Sequence, residues 1–149
     1  MRRRRTRTLE RALVRRALCV LAATALAQHA LAAGPLDGLR FVGDTGPAGR
    51  AADEHGAVLM FDGGRFAKSS PASCASDSFL PGEYLAFSEG DGVRFRATTT
   101  SDEYGRIEWE GLVRGEVATG RYVWHRKPSF FVPDPKPYTK WFKAVAIDR

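Results

Sequence analysis

The chain has 149 residues, with 23 Lys or Arg against 17 Asp or Glu and a formal net charge of +6. Eight Arg but only one acid, Glu10, lie before residue 34, so residues 34–149 hold 15 basic and 16 acidic side chains, a net charge of −1. That near-neutral remainder has no electrostatic footprint for polyanions, which excludes a nucleic-acid partner.

The first 33 residues read as an export leader. Arginines at positions 2–5, 7, 11, 15 and 16 form a basic region, and an apolar run from Ala17 to Ala27 follows, closing on small residues. The run is shorter than the roughly 20 apolar residues that span a bilayer, so no transmembrane segment is expected once it is removed. Cleavage after residue 27, 32 or 33 fits the small-residue rule. Arg15-Arg16 form a twin-arginine pair without the flanking residues usual for that route, so both general and twin-arginine export stay open. The leader implies a periplasmic or secreted protein. Cys19 falls within the leader, which leaves Cys74 without an internal disulfide partner. Residues 34–149 suffice for one domain.

Along that domain, short apolar runs alternate with clusters of Gly, Pro, Asp and Ser, and no helical period is sustained. Strands are predicted at Leu39–Val42, Ala57–Phe61, Arg65–Lys68, Glu83–Ser88, Val93–Thr100, Arg106–Val113, Val117–Trp124 and Lys140–Ile147. About eight strands at this spacing imply an all-β, antiparallel, up-and-down barrel. In the middle of the chain, Val93, Phe95 and Ala97 alternate with Arg94, Arg96 and Thr98. Ile107, Trp109, Gly111 and Val113 alternate with Arg106, Glu108, Glu110 and Leu112. This period of two marks half-buried strands. A loop at Asp102-Glu103-Tyr104 would set Ala97 opposite Trp109, Phe95 opposite Gly111 and Arg96 opposite Glu110. A turn at Arg114-Gly115 would set Trp109 opposite Gly120, Gly111 opposite Ala118, Ile107 opposite Tyr122 and Glu108 opposite Arg121. The inner row would then read Ala97, Trp109, Gly120.

Phe95, Trp109, Tyr122 and Trp124 share the inferred inner face. Either they simply fill an eight-stranded interior, which is just wide enough for side chains, or they line an apolar cup for a small hydrophobic or aromatic ligand. The segment 127–138 holds four prolines and two adjacent aromatics, Phe130 and Phe131. These rings plug one barrel end on the simpler reading; otherwise they form a ligand lid or a partner-binding patch. Cys74, His55 and His125 are not at nucleophile or metal-ligand spacing, so the simpler reading makes Cys74 an ordinary free thiol. Glu108 and Glu110 read as surface acids paired with arginines, and Gly43–Gly49 lacks the ending of a phosphate-binding loop. No catalytic residue, metal ligand or cofactor is expected.

Two stretches, Leu36-Asp37-Gly38-Leu39-Arg40-Phe41-Val42-Gly43 and Gly111–Glu116 leading through Thr119-Gly120-Arg121-Tyr122-Val123-Trp124, resemble small exported lipocalin-like (calycin-type) barrels. Phe41 stands where a lipocalin's opening motif has Trp. The resemblance implies a binding module for a small hydrophobic ligand, or a protein-binding inhibitor; a monomer is expected. An enzyme is not expected.

Overall fold

The computed structural model describes residues 34–71 and 78–147. The leader expected over residues 1–33 and the thiol of Cys74 lie outside the described residues. Eight strands follow in chain order: β1 (Arg40–Pro47), β2 (Glu54–Asp62), β3 (Arg65–Ser69), β4 (Gly82–Glu89), β5 (Gly92–Ser101), β6 (Gly105–Arg114), β7 (Val117–Arg126) and β8 (Tyr138–Ala146). Each pairs antiparallel with its sequence neighbour, and β8 returns to β1, so the sheet closes as an up-and-down barrel. Every predicted strand falls on one of these eight. The main differences are extensions at strand ends, where β1 continues through Gly43–Pro47 and β2 begins at Glu54.

The β5–β6 ladder has the expected register, with Ala97 opposite Trp109, Phe95 opposite Gly111, and Ser101 closing the loop opposite Gly105. The Ser101 hydroxyl accepts hydrogen bonds from the N–H groups of Glu103 and Tyr104, which holds the three-residue loop.

The β6–β7 register corrects the sequence expectation. The turn is Gly115-Glu116 rather than Arg114-Gly115, with Arg114 opposite Val117. A two-residue hairpin of the II′ kind needs positive φ at its first central position, and Gly115 supplies it at φ 54°. Both ends move by one residue, so the partners change but the faces do not. Trp109 lies opposite Tyr122, Ile107 opposite Trp124, Gly111 opposite Gly120 and Val113 opposite Ala118. On the outer face it is Glu110, not Glu108, that meets Arg121, at 3.3 Å, while Arg96 approaches from the other side at 3.2 Å.

The corrected register explains two inward glycines. Phe95, Gly111, Gly120 and Phe142 form one row across β5 to β8. A Cβ on Gly111 would sit 2.5 Å from the Phe95 ring, and one on Gly120 would sit 2.5 Å from Phe142 and 2.2 Å from the Glu110 carbonyl. Two large rings thus fit across the interior because the strands between them carry no side chain.

Below the middle, the barrel is packed with rings. Phe61 contacts Phe95 at 4.9 Å between centroids and both Phe66 and Tyr84 at 5.1 Å, and Phe66 lies 5.0 Å from Trp109. Three two-residue turns gather at this end, and Leu36 closes it from below, almost fully buried. The Asp37 carboxylate fixes that plug by accepting hydrogen bonds from Gly34, Gly64 and the Tyr84 hydroxyl at 2.8–2.9 Å. Burial, together with the hydrogen bond to Asp37, pushes the Tyr84 hydroxyl up to about 12, so it remains a donor. Phe130 and Phe131 therefore plug neither end, being 94% and 89% exposed at the tip of their loop. Proline-rich flanks and a tight turn hold them out, with Ser129 and Val132 exchanging backbone hydrogen bonds around them.

Replacing Gly120 by Ala is expected to lower stability by about 2 kcal/mol, the range for overpacking a tight interior. Thermal unfolding should show this as a drop of several degrees in Tm; an unchanged Tm would mean that the Phe142 ring and the Glu110 carbonyl yield easily.

Candidate functional site

The longer loops, among them residues 48–53, 102–104 and 127–137 together with residues 70–71 and 78–81, collect at the end opposite the Leu36 plug. Among them the interior opens into a cavity of about 290 Å³. One wall comes from β5, β6 and β7: Thr99, Ile107, Trp109, Tyr122 and Trp124, with Phe79 leaning in from the loop before β4. The facing wall comes from the end of the β1–β2 loop and from β2, β3 and β8: Asp53, Glu54, Lys68 and Lys140, with Tyr138 at the rim. An aromatic half thus faces a charged half.

Strand parity sets the charged half. On β8 the inward residues Phe142 and Ala144 share their period with Lys140, and on β3 Phe66 shares its period with Lys68. Glu54 is different. Its even number should place it opposite in face to Ala57, Leu59 and Phe61, but the β1–β2 register slips between Gly43 opposite Ala57 and Thr45 opposite Glu54. The extra residue is accommodated at His55-Gly56, where Gly56 has φ 73°. This β-bulge turns Glu54 into the barrel and leaves His55 outside, 2.9 Å from Asp44.

Glu54 is the hub of the polar wall. It accepts from Lys68 Nζ at 2.6 Å and from the Thr45 hydroxyl at 2.8 Å, and Ser70 also bonds to it. Lys140 Nζ lies 2.6 Å from Asp53 Oδ1 and 3.9 Å from Glu54 Oε2. Burial alone would raise the Glu54 pKa, but the bonds from Lys68, Ser70 and Thr45 outweigh it and hold the carboxyl below its ordinary range. Burial would likewise depress Lys140, but Asp53 and Glu54 reverse this and keep it an ammonium. Tyr122 is pushed up, mainly by burial, and stays a phenol whose oxygen is 3.4 Å from that of Thr45. On the aromatic wall, Trp109 Nε1 donates to Thr99 at 3.0 Å and Trp124 Nε1 to the Tyr104 carbonyl at 2.9 Å. These bonds fix both indoles, Trp109 lying 4.3 Å from Tyr122.

Of the four rings singled out from the sequence, Trp109, Tyr122 and Trp124 line this cavity. Phe95 does not; it lies in the packed interior below, fully buried against Phe61, Phe66 and Phe142. Phe130 and Phe131 belong to a loop at the same end but are not on the cavity wall. The sequence reading missed the charged half entirely. Lys140 and Lys68 were visible in the alternation of β8 and β3, whereas the bulge concealed Glu54. Among the described residues no group of three or more His, Cys, Asp or Glu is arranged to hold a metal ion. Glu108 is engaged on the outer face by Arg106 at 3.1 Å and His125 at 3.2 Å.

Glu54 has a lowered pKa in the folded state, so its contribution to stability is complete above its ordinary value near 4.5 and is lost as pH falls through the lowered one. Replacing Glu54 by Gln should flatten that acid limb in urea unfolding measured from pH 7 to pH 3. At neutral pH the same change should destabilise by about 3 kcal/mol, because Lys68 loses its buried counter-charge. An unaltered acid limb would remove Glu54 from this role. Compared with protein-family models, with curated proteins and with solved structures, the chain matches none of them.

Proposed function

We propose that this is an exported, lipocalin-like binding module, periplasmic or secreted, that holds a small hydrophobic or aromatic ligand in the mouth of its barrel and does no chemistry on it. The observation that carries the reading is the cavity of about 290 Å³ walled by Ile107, Trp109, Tyr122, Trp124 and Phe79. Its volume is at the lower end of small-molecule sites, about 300–1,000 Å³, which suits a ligand of one or two rings. Fixed indoles offer flat apolar contact without an ordering cost on binding, and the barrel beneath is too full of rings to admit a longer chain.

Titration of isotope-labelled protein with indole should move the Nε1 signals of Trp109 and Trp124 in the NMR spectrum. Trp124→Ala should weaken the binding by about tenfold, the loss of one good ring contact. Shifts confined to outer-face residues, or none at all, would count against the cavity.

A second reading is favoured by one separate observation. Phe130 and Phe131 stand out from the tip of a tight turn, edge to face at 5.5 Å, and so display apolar surface to a protein partner. On that reading the chain is a protein-binding or inhibitory module acting through residues 128–138. The double substitution Phe130→Ser, Phe131→Ser should leave Tm within a degree or two, since neither ring is packed. It should also abolish cross-linking to a partner that the unaltered protein captures; capture that survives the substitution would rule the loop out.

A further inference from the structure

The charged wall is not symmetrical in its exposure, and the asymmetry selects the ligand. Glu54, Lys68 and Lys140 have side chains only 10–12% exposed, whereas Asp53 is 47% exposed on the last position of the β1–β2 loop. The three sheltered groups sum to one positive charge. Glu54 is already engaged by Lys68, Thr45 and Ser70, so the uncompensated charge is the Lys140 ammonium. Asp53 supplies its counter-charge from the rim, at 2.6 Å.

A sheltered cation needs an anion close by, because removing it from water without one is costly. A half-exposed loop aspartate meets that need at small cost and can be released to water at small cost as well. An incoming carboxylate placed on Lys140 Nζ would leave the charge of the sheltered site unchanged, with Asp53 turning out to solvent. An incoming amine would add a second uncompensated positive charge beside Lys140. Next to Lys140 lie Tyr122 and, beyond it, the indoles of Trp109 and Trp124.

We propose that the cavity takes a small aromatic carboxylic acid, its carboxylate replacing that of Asp53 on Lys140 and its ring lying against Trp109, Tyr122 and Trp124. Asp53 is then an internal stand-in for the ligand's acid group. This rests on the binding-module reading above and adds the sign and chemistry of the ligand's head.

The test is calorimetric titration, at pH 7 and moderate salt, of protein purified from cells expressing the full chain. Three probes share one ring system: indole-3-acetate, indole and tryptamine. Indole-3-acetate should bind about tenfold more tightly than indole, and tryptamine most weakly, as expected for a charge-assisted contact in a sheltered site. Lys140→Met should remove the preference, so that indole-3-acetate binds that variant no more tightly than indole binds it. Asp53→Asn should do the opposite and tighten indole-3-acetate several-fold, because it removes the internal competitor. A purely structural ion pair would not produce that gain. Should indole bind as well as its acid, with both variants silent, the cavity reading stands and the acid-specific one is overturned. Tighter binding of tryptamine, or a weaker acid in Asp53→Asn, overturns it too. If none of the three probes binds, both readings fall together.

Discussion

The interior of an eight-stranded barrel is scarcely wider than the side chains that fill it, and this constraint governs the whole molecule. Phe95 and Phe142 fit across it only because Gly111 and Gly120 lie between them. The same shortage of space packs Phe61, Phe66, Tyr84 and Trp109 into one mass of tilted and edge-on rings and leaves the lower half solid. The cavity walled by Trp109, Tyr122 and Trp124 lies toward the mouth. There the inward positions change from Phe to Thr99, Lys68, Lys140 and Glu54, whose polar ends cannot close over one another as rings do. The cavity is therefore a result of where the aromatic filling stops.

Polar groups at that boundary are tolerable because each finds a partner. Glu54 is held by three donors, Lys140 by two carboxylates at unequal distance, and the two indoles by a hydroxyl and a carbonyl. The outer surface uses charge differently. Glu110 is shared by Arg94, Arg96 and Arg121, and Arg94 also binds Glu89, in an exposed arrangement whose individual pairs contribute little. Both networks are made of the same few residue types. Burial is what distinguishes the inner one, whose Glu54, Lys68 and Lys140 are sheltered from water.

Much of the fold could be read from the chain. Strict alternation in β5 and β6 fixed the faces and the register there, because a one-residue slip would have turned Phe95 and Trp109 to solvent. The β6–β7 pairing was harder, since Arg114-Gly115 and Gly115-Glu116 place the same residues inward and differ only in partners; the backbone preference of Gly115 decides between them. Of the site, the aromatic wall was legible as inward-facing rings, but nothing in the sequence separated Phe95, which is fully buried, from Trp124, which is only partly so. That distinction depends on height along the barrel axis, a quantity that alternation does not encode. Glu54 was hidden for another reason, because a bulge breaks the parity rule by which inward residues are counted. Phe130 and Phe131 misled because apolar side chains in a loop suggest a plug, whereas the place at the base was already filled by Leu36.

Closure of the barrel is not equally firm all round. Nine residue pairs join β5 to β6, but among the described residues only Arg65 opposite Glu83 and Phe66 opposite Gly82 join β3 to β4. Above that point, among the described residues, Ala67, Lys68 and Ser69 pair with β2 alone. Lys68, the residue that anchors Glu54 in the cavity wall, thus also stands at the seam with the fewest β3–β4 pairs among the described residues, so a change made there would act on the cavity wall and on barrel closure together.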